Sequence, residues 1–485
     1  MRDWVRAGTT IHETRTRALN DAEIRRGNYV LYWMQASQRA VDNPALDVAV
    51  ELANSLSLPV LCVFGLAASY PEANLRHYAF MLEGLRETKE SLENRGIQLA
   101  IVIGMPDEVA LSLADEAALL VCDRGYLRHQ KIWRRTVSER SRCKVLEVEG
   151  DVVVPVDAAT RKREWSAATL RPKVQRLLDA FLQTHRSPHP KKDSLCISVP
   201  QSISSLGSEL LAQLPVDSRV PAVRSSSGAI GGTRQALSVL RAFVSEKLPY
   251  YGDERHDPTL GTPSGLSPYL HFGQISPVRI AREVPDARYA PEGARAAFLE
   301  QLIVRRELAM NFVEYTPDYD RWSCLPAWAR ATLGAHAHDP RPFHYTPTQL
   351  ESAATHDPFW NAAMKQMKFT GRLHGYMRMY WGKKILEWSA SPQSGFREAL
   401  RLNNRWFLDG RDSCSFAGVA WCFGLHDRPW GERPIFGNVR FMNESGLKRN
   451  FDMASYLRFV EKEEPGLSGR ATTVPSGSRH GPGGS

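Results

Sequence analysis

Three tryptophans lie where two neighbouring helical runs could bring their rings together. Trp381 and Trp388 are seven residues apart in a helical pattern, so they share one face, about 10 Å apart along the axis. Trp360 begins the preceding helical run, which ends near Gly371. Packed together, the three indoles would make a row of oxidisable rings; an aromatic core stripe would have the same pattern. Arg378 lies one turn before Trp381.

Two further stretches carry polar chemistry. Tyr250–Pro258 leads into Gly261-Thr262-Pro263-Ser264-Gly265-Leu266-Ser267, just ahead of a helical run. Backbone N–H groups and hydroxyls at a helix start suit a phosphate or pyrophosphate; the same residues also make an ordinary turn and cap. Leu402-Asn403-Asn404-Arg405-Trp406-Phe407-Leu408-Asp409-Gly410-Arg411-Asp412 places amides and carboxylates around a glycine turn. Beyond it come Trp421, Asp427, Arg428, Trp430, Arg433 and Arg440. Cations interleaved with indoles provide phosphate contacts and a stacking face for a flipped or single-stranded base. A solvated basic face beside core tryptophans is the plainer alternative.

The elements that must position these groups fall into two kinds. Apolar runs at Tyr29–Met34, Leu58–Phe64, Ile97–Ile103, Leu119–Cys122 and Lys144–Val148 alternate with helical patterns at Asn43–Leu56, Ala73–Asn94, Val109–Ala118 and Leu127–Arg140. This predicts βαβ units and a doubly wound, Rossmann-like parallel sheet over 27–160, after an irregular N-terminal arm, 1–26. Neither G-x-G-x-x-G nor a P-loop is present. Ligands of open parallel sheets still gather at the strands' carboxyl ends, where Met34-Gln35-Ala36-Ser37-Gln38-Arg39 would sit. Residues 160–183 read as a helix, and 185–232 are rich in Pro, Ser and Gly, so 161–232 is the expected interdomain connection. Over 233–462 the patterns are helical: 236–248, 277–284, 292–315, 347–368, 373–388 and 394–406. The tail, 463–485, has a disordered composition.

The chain has 485 residues, 43% of them apolar, with 62 basic against 53 acidic residues and a net charge of +9. That excludes a wholly disordered chain and suits a polyanionic partner. Eight of its 12 tryptophans lie from residue 322 onward. Seven cysteines without a CxxC pair argue against a disulfide framework or a zinc module, so no metal is expected. No secretory h-region or 18-residue apolar run is visible. The expected setting is the cytoplasm, beside the nucleoid in a bacterium or archaeon, or the nucleus of a eukaryote.

Five motifs give the pattern a family. They are Tyr29-Val30-Leu31-Tyr32-Trp33-Met34-Gln35, Gly265–Ser276, Gln301–Leu308, Tyr380–Trp388 and Leu408–Asp412. In this order, from 28 to about 460, the chain resembles the class II cyclobutane pyrimidine dimer photolyases of the photolyase/cryptochrome family. The resemblance implies an antenna-type α/β domain and a helical domain holding FAD, fully reduced in the active form. Its activity would be that of a deoxyribodipyrimidine photo-lyase, a carbon–carbon lyase. An electron from light-excited FAD splits a flipped-out dimer and then returns. The implied partner is UV-damaged double-stranded DNA, bound by a monomer without a membrane.

Residue by residue, the resemblance places Tyr251, Thr262, Ser264, Leu266 and Ser267 around the FAD phosphates and ribityl chain. It sets Arg378 and Asp409 beside the isoalloxazine and Asn403 at flavin N5. Trp381, Trp360 and Trp388 become electron carriers, in that order outward. Trp421 packs against the flipped bases, with Arg433 and Arg440 on the DNA. Family members commonly carry two adjacent glutamates where this chain has Glu300-Gln301. Gln301 can hydrogen-bond thymine carbonyls but cannot supply a carboxylate; Glu300 is the alternative contact. The antenna is left open: 8-hydroxy-5-deazaflavin, another chromophore, or none. A cryptochrome-like receptor without repair is the competing reading, and a flavin oxidoreductase would need a nicotinamide fingerprint that is absent.

Overall fold

In the computed structural model, residues 11–183, 186–223, 229–261 and 263–463 are described. The predicted tail from 464 onward, the first ten residues of the arm, and Thr262 lie outside them.

Six strands form one sheet: β1 (Thr16–Ala18), β2 (Tyr29–Trp33), β3 (Val60–Leu66), β4 (Gln98–Ile103), β5 (Ala117–Asp123) and β6 (Lys144–Val148). Their order is β1-β6-β5-β2-β3-β4. β2 to β6 are parallel, and every residue of β2, β3, β5 and β6 is buried. Continuous apolar strands fit this sheet because the helices α1 (Pro44–Leu56), α2 (Leu75–Glu93), α3 (Pro106–Ala114) and α4 (Arg128–Arg140) connect them. The chain runs outward from β2 to β4, then returns to β5 on the other side. The switch point therefore lies between β2 and β5.

One edge departs from the expected purely parallel sheet. Thr16–Ala18, within the stretch read as an irregular arm, pairs antiparallel with β6. An unpaired edge attracts any short extended segment, and three residues are too few to show a period. The connection also differs from a free linker. Leu206, Leu210 and Leu214 are buried in the core on one side of the sheet, and the Ile203 N–H donates to Ile101 O.

Helices dominate from 233 onward: α5 (Thr233–Ala242), α6 (Glu292–Leu299), α7 (Arg306–Glu314), α8 (Pro358–Thr370), α9 (Gly375–Trp388), α10 (Pro392–Trp406) and α11 (Ser413–Cys422). Four predicted helices are broken; the 236–248 run leaves α-helix at Ala242 and continues as a π-helical turn, Phe243–Lys247. The stretch 160–183 gives Ala167–Gln175 and Leu178–Phe181, and it starts late because Asn311 binds the Glu164 N–H and the Lys162 carbonyl and holds 162–164 out of helix. A wide π-helical turn, Glu300–Arg305, interrupts 292–315. The 347–368 run stops at Glu351 and restarts at Pro358. There Asp357 Oδ1 caps the N–H groups of Phe359 and Trp360, and Pro358 occupies the first helical position.

The two parts are clamped together. Buried Arg39 donates to the carbonyls of Gly150 and Gly273. Arg76 reaches those of Met367 and Trp406, and Glu307 receives the Val153 N–H at 2.6 Å. Gly273 has φ +65°, and a Cβ there would lie 1.7 Å from Ala36 O, so the joint needs glycine. Among the described residues no helix is long and apolar enough to cross a membrane.

Candidate active site

Helix α9 carries the centre of the site. Arg378 Nη2 donates to Asp409 Oδ1 at 2.9 Å, and its guanidinium lies 3.8 Å from the Phe407 ring centroid. Burial alone would raise the Asp409 carboxyl. Arg378 outweighs that, helped by Ser267 and His271, and holds it below its ordinary value. The aspartate is thus a fixed anion that orients Arg378.

Behind this pair a polar chain fixes Asn403, which is buried. Asn404 Nδ2 donates to Glu72, so Asn404 Oδ1 is left to accept from the Arg411 N–H and from Asn403 Nδ2 at 3.0 Å. Ser415 Oγ donates to Asp409 O and accepts from Asn403 Nδ2 at 2.8 Å. Both hydrogens of the Asn403 amide are therefore committed. The oxygen is the end it can offer a ligand.

The three tryptophans are each at most 1% exposed; Trp360 and Trp388 meet ring to ring, and Trp381 joins them through its backbone carbonyl. Trp381 meets Phe407 edge-on at 6.2 Å. Trp360 Nε1 donates to Trp381 O at 3.0 Å, and the Trp360 and Trp388 rings lie 5.4 Å apart at 69°. The row starts one helical turn from Arg378. It runs outward because α8, begun by its Asp357 cap, is packed against α9.

The glycine-serine stretch lies on the other side of Asp409. Ser267 opens a short helix, Ser267–His271, and its hydroxyl is turned to Asp409. Ser264 Oγ receives the Leu266 N–H at 3.4 Å, and the Leu266 side chain is buried. Tyr251 packs edge-on against Phe243 and Phe298. Gly265 has φ +72°, and Arg372 Nη1 is 3.7 Å from where its Cβ would be. Nε and Nη2 of Arg372 are buried without a partner among the described residues. A half-buried cation with two unused donors beside this turn suits a phosphate.

Trp421, on α11, forms an aromatic and cationic face. Arg440 lies 5.8 Å from the half-buried Trp421 ring and 4.7 Å from Trp430, which Arg428 also covers. Arg433 instead lies over Phe441. Beneath Trp421 is Lys383, fully buried, donating to Cys422 O at 2.6 Å. Burial pushes its ammonium down to about 8. The π-helical turn gives its two polar residues different surroundings. Glu300 is held by Arg171 through both oxygens, at 2.8 and 3.0 Å, and by Arg305. Gln301 is exposed. Glu300 is thus already neutralised, which disfavours it as a stand-in for Gln301.

A second cleft, about 1180 Å³ with its open mouth included, lies over the carboxyl ends of β2, β3 and β5. Gln35, Ala36 and Gln38 line it, as expected for the switch point, whereas Arg39 is taken by the interdomain clamp. Asp123 Oδ2 shapes the loop by accepting the N–H groups of Gln35, Ala36 and Ser37, each at 2.9 Å. His271, Met310 and Arg411 close the cleft from the helical side.

Residues 30–192 match the family model described as DNA photolyase. The deoxyribodipyrimidine photo-lyase of Methanothermobacter thermautotrophicus is 49% identical over 448 residues, 92% of this chain and 98% of the relative. The chain belongs to the photolyase/cryptochrome family. The photo-lyase of Potorous tridactylus is 39% identical, over 89% of this chain and 81% of the relative. The fold is shared with a solved archaeal photolyase from Sulfolobus tokodaii, described as holding two FAD molecules. That structure superposes with a TM-score of 0.65 and 16% identity, over 92% of this chain and 94% of the other.

Within this photolyase frame, Trp381, Trp360 and Trp388 come together, as do Arg378, Asp409, Ser267 and Asn403. Arg440 joins Trp421, while Arg433 stays apart on Phe441. Several participants had no sequence signal. Asn404 and Ser415 fix the Asn403 amide only through tertiary contacts. Lys383 is buried only because α11 covers it. By contrast, Trp430, at 38% exposure, stands on the cationic face, in line with its spacing among the arginines.

Proposed function

We propose that this chain is a class II-type photolyase that repairs cyclobutane pyrimidine dimers in DNA by light-driven electron transfer from reduced FAD. The Arg378–Asp409 pair, one helical turn from a buried row of three tryptophans, carries the reading. The residues present fit FAD: Arg372 offers unused donors at the Gly265 turn, and Asn403 offers a carbonyl oxygen. When bound and reduced, FAD supplies the excited-state electron that opens the cyclobutane ring, and the electron returns with no net redox change.

The chain's own residues do the rest. Arg378 stabilises negative charge on the ring system, and Asp409 keeps its guanidinium in place. Asn403 accepts a hydrogen bond from flavin N5. Tyr251, Thr262, Ser264, Leu266 and Ser267 hold the phosphate and ribityl side. Trp381, Trp360 and Trp388 pass electrons inward to restore the reduced state. Trp421 stacks on the extruded bases, Gln301 donates to their carbonyls, and Arg440 and Arg433 hold phosphates. We also propose that the sheet cleft takes a flat antenna chromophore, a 5-deazaflavin or a second flavin. Trp33 Nε1, Gln35 Nε2 and Arg411 Nη1 are buried there without partners among the described residues, which suits the polar edge of such a ring.

The test is illumination of the reduced, FAD-loaded protein with a duplex oligonucleotide carrying one dimer. Restoration of intact pyrimidines is expected. A lesion that is bound yet left intact under blue light would overturn repair and favour the receptor reading.

A further inference from the structure

The tryptophan row does not end at Trp388. The Tyr345 ring packs edge-on against Trp388, with centroids 5.2 Å apart at 77°, and the His356 ring lies 5.4 Å from the same indole. Tyr345 Oη is 2.6 Å from His356 Nδ1. Tyr345 is half-buried and His356 is exposed.

We propose that Tyr345 and His356 form a terminal redox station, where the oxidising equivalent leaves the tryptophan row as a neutral tyrosyl radical. The inference rests on the photolyase reading above, whose photoexcited oxidised flavin supplies the oxidant. One electron passes from Tyr345 to the Trp388 cation radical. The phenolic proton moves to His356 Nδ1. The products are neutral Trp388, a tyrosyl radical and an imidazolium open to water.

Three features favour this direction of transfer. The His356 backbone N–H already donates to Tyr345 Oη at 3.0 Å, which leaves the phenol's own proton to point at Nδ1. An exposed imidazole is a competent proton relay to solvent. Lys384 Nζ lies 5.6 Å from the Trp388 centroid, so positive charge on that indole is disfavoured, whereas a neutral radical on Tyr345 is not penalised. Glu387, 2.8 Å from the lysine, offsets this in part.

The pair is also held in place. Tyr345 immediately precedes Thr346, whose hydroxyl caps the next helix. His356 immediately precedes Asp357, the cap of α8. The Phe343 ring stacks on the imidazole at 3.6 Å and 18°. Aromatic contact and a short hydrogen bond are therefore set before oxidation, and little rearrangement is needed.

The experiment is electron paramagnetic resonance on oxidised, FAD-loaded protein frozen during blue illumination, with tyrosine unlabelled or ring-deuterated. The expected radical narrows on tyrosine deuteration. Tyr345→Phe should replace it with a tryptophanyl radical and lower the yield of flavin photoreduction severalfold. His356→Leu should also suppress the tyrosyl signal. A tryptophanyl radical in the unaltered protein, together with Tyr345→Phe behaving identically, would overturn the station while leaving the row intact. A radical that persists in Trp381→Phe would overturn the row, and the station with it.

Discussion

The sheet cleft and the Arg378–Trp388 row are both walled by buried side chains, yet they are assembled in opposite ways. The row is built along one helix and its neighbour: Arg378, Trp381 and Trp388 follow helical periodicity, and Trp360 faces them from α8. The cleft is gathered from the ends of three strands and closed by His271, Met310 and Arg411 from the other domain. Short-range periodicity gathers rings along a helix face, whereas a joint between domains encloses a cavity. The two regions should therefore fail differently.

The largest effect separates them. Trp381→Phe should cut flavin photoreduction by an order of magnitude or more, measured by absorbance under steady blue light. Unchanged photoreduction would remove the row's special status.

Lys383 tests the floor of the Trp421–Arg440 face. Its folded value of about 8 lies below the ordinary 10.5, so between those pH values the unfolded chain binds the extra proton. The contribution of Lys383 to stability should accordingly rise from pH 8 to 10.5 by about 2–3 kcal/mol, against the opposite slope of the buried thiols. Lys383→Met should lose that rise, as read from urea midpoints across the range. Parallel profiles would show that the buried ammonium is not the titrating group.

The joint comes next. Gly273→Ala forces a positive φ on alanine and drives its Cβ into Ala36 O. About 2 kcal/mol or more of stability should be lost in denaturant unfolding. A neutral result would mean that the domains can shift apart without cost.

Gln301→Glu should have the smallest effect, leaving dimer repair equal or modestly improved in an oligonucleotide assay. A large loss would give the amide a role of its own. Because Glu300 is bound to Arg171 and Arg305, it should not rescue such a loss.

Legibility in the sequence follows the same division. The strand runs and the motifs around Asp409 were readable because their information is local: apolar continuity and a glycine turn. The seven-residue spacing of Trp381 and Trp388 fits a core stripe as well, and only the family resemblance singled out a row. Thr16–Ala18 was not, since an edge strand of three residues is defined by the partner it finds. The break between 351 and 358 has a local signal, Asp357-Pro358, that apolar periodicity across it concealed. Tyr345 and His356 carry no mutual signal because they lie 11 residues apart in irregular chain.

The amino-acid sequence by itself determined the alternating α/β half, the helical half and the shared helical face of Trp381 and Trp388. Each depends on residue type and spacing within one or two elements. Tertiary structure alone decided the orientation of the Asn403 amide, the burial of Lys383 under Trp421 and the contact of Tyr345 with Trp388. Those depend on which surfaces meet when elements far apart in the chain exclude water together. Hydrogen bonds and desolvation at such contacts have no period that a sequence could display.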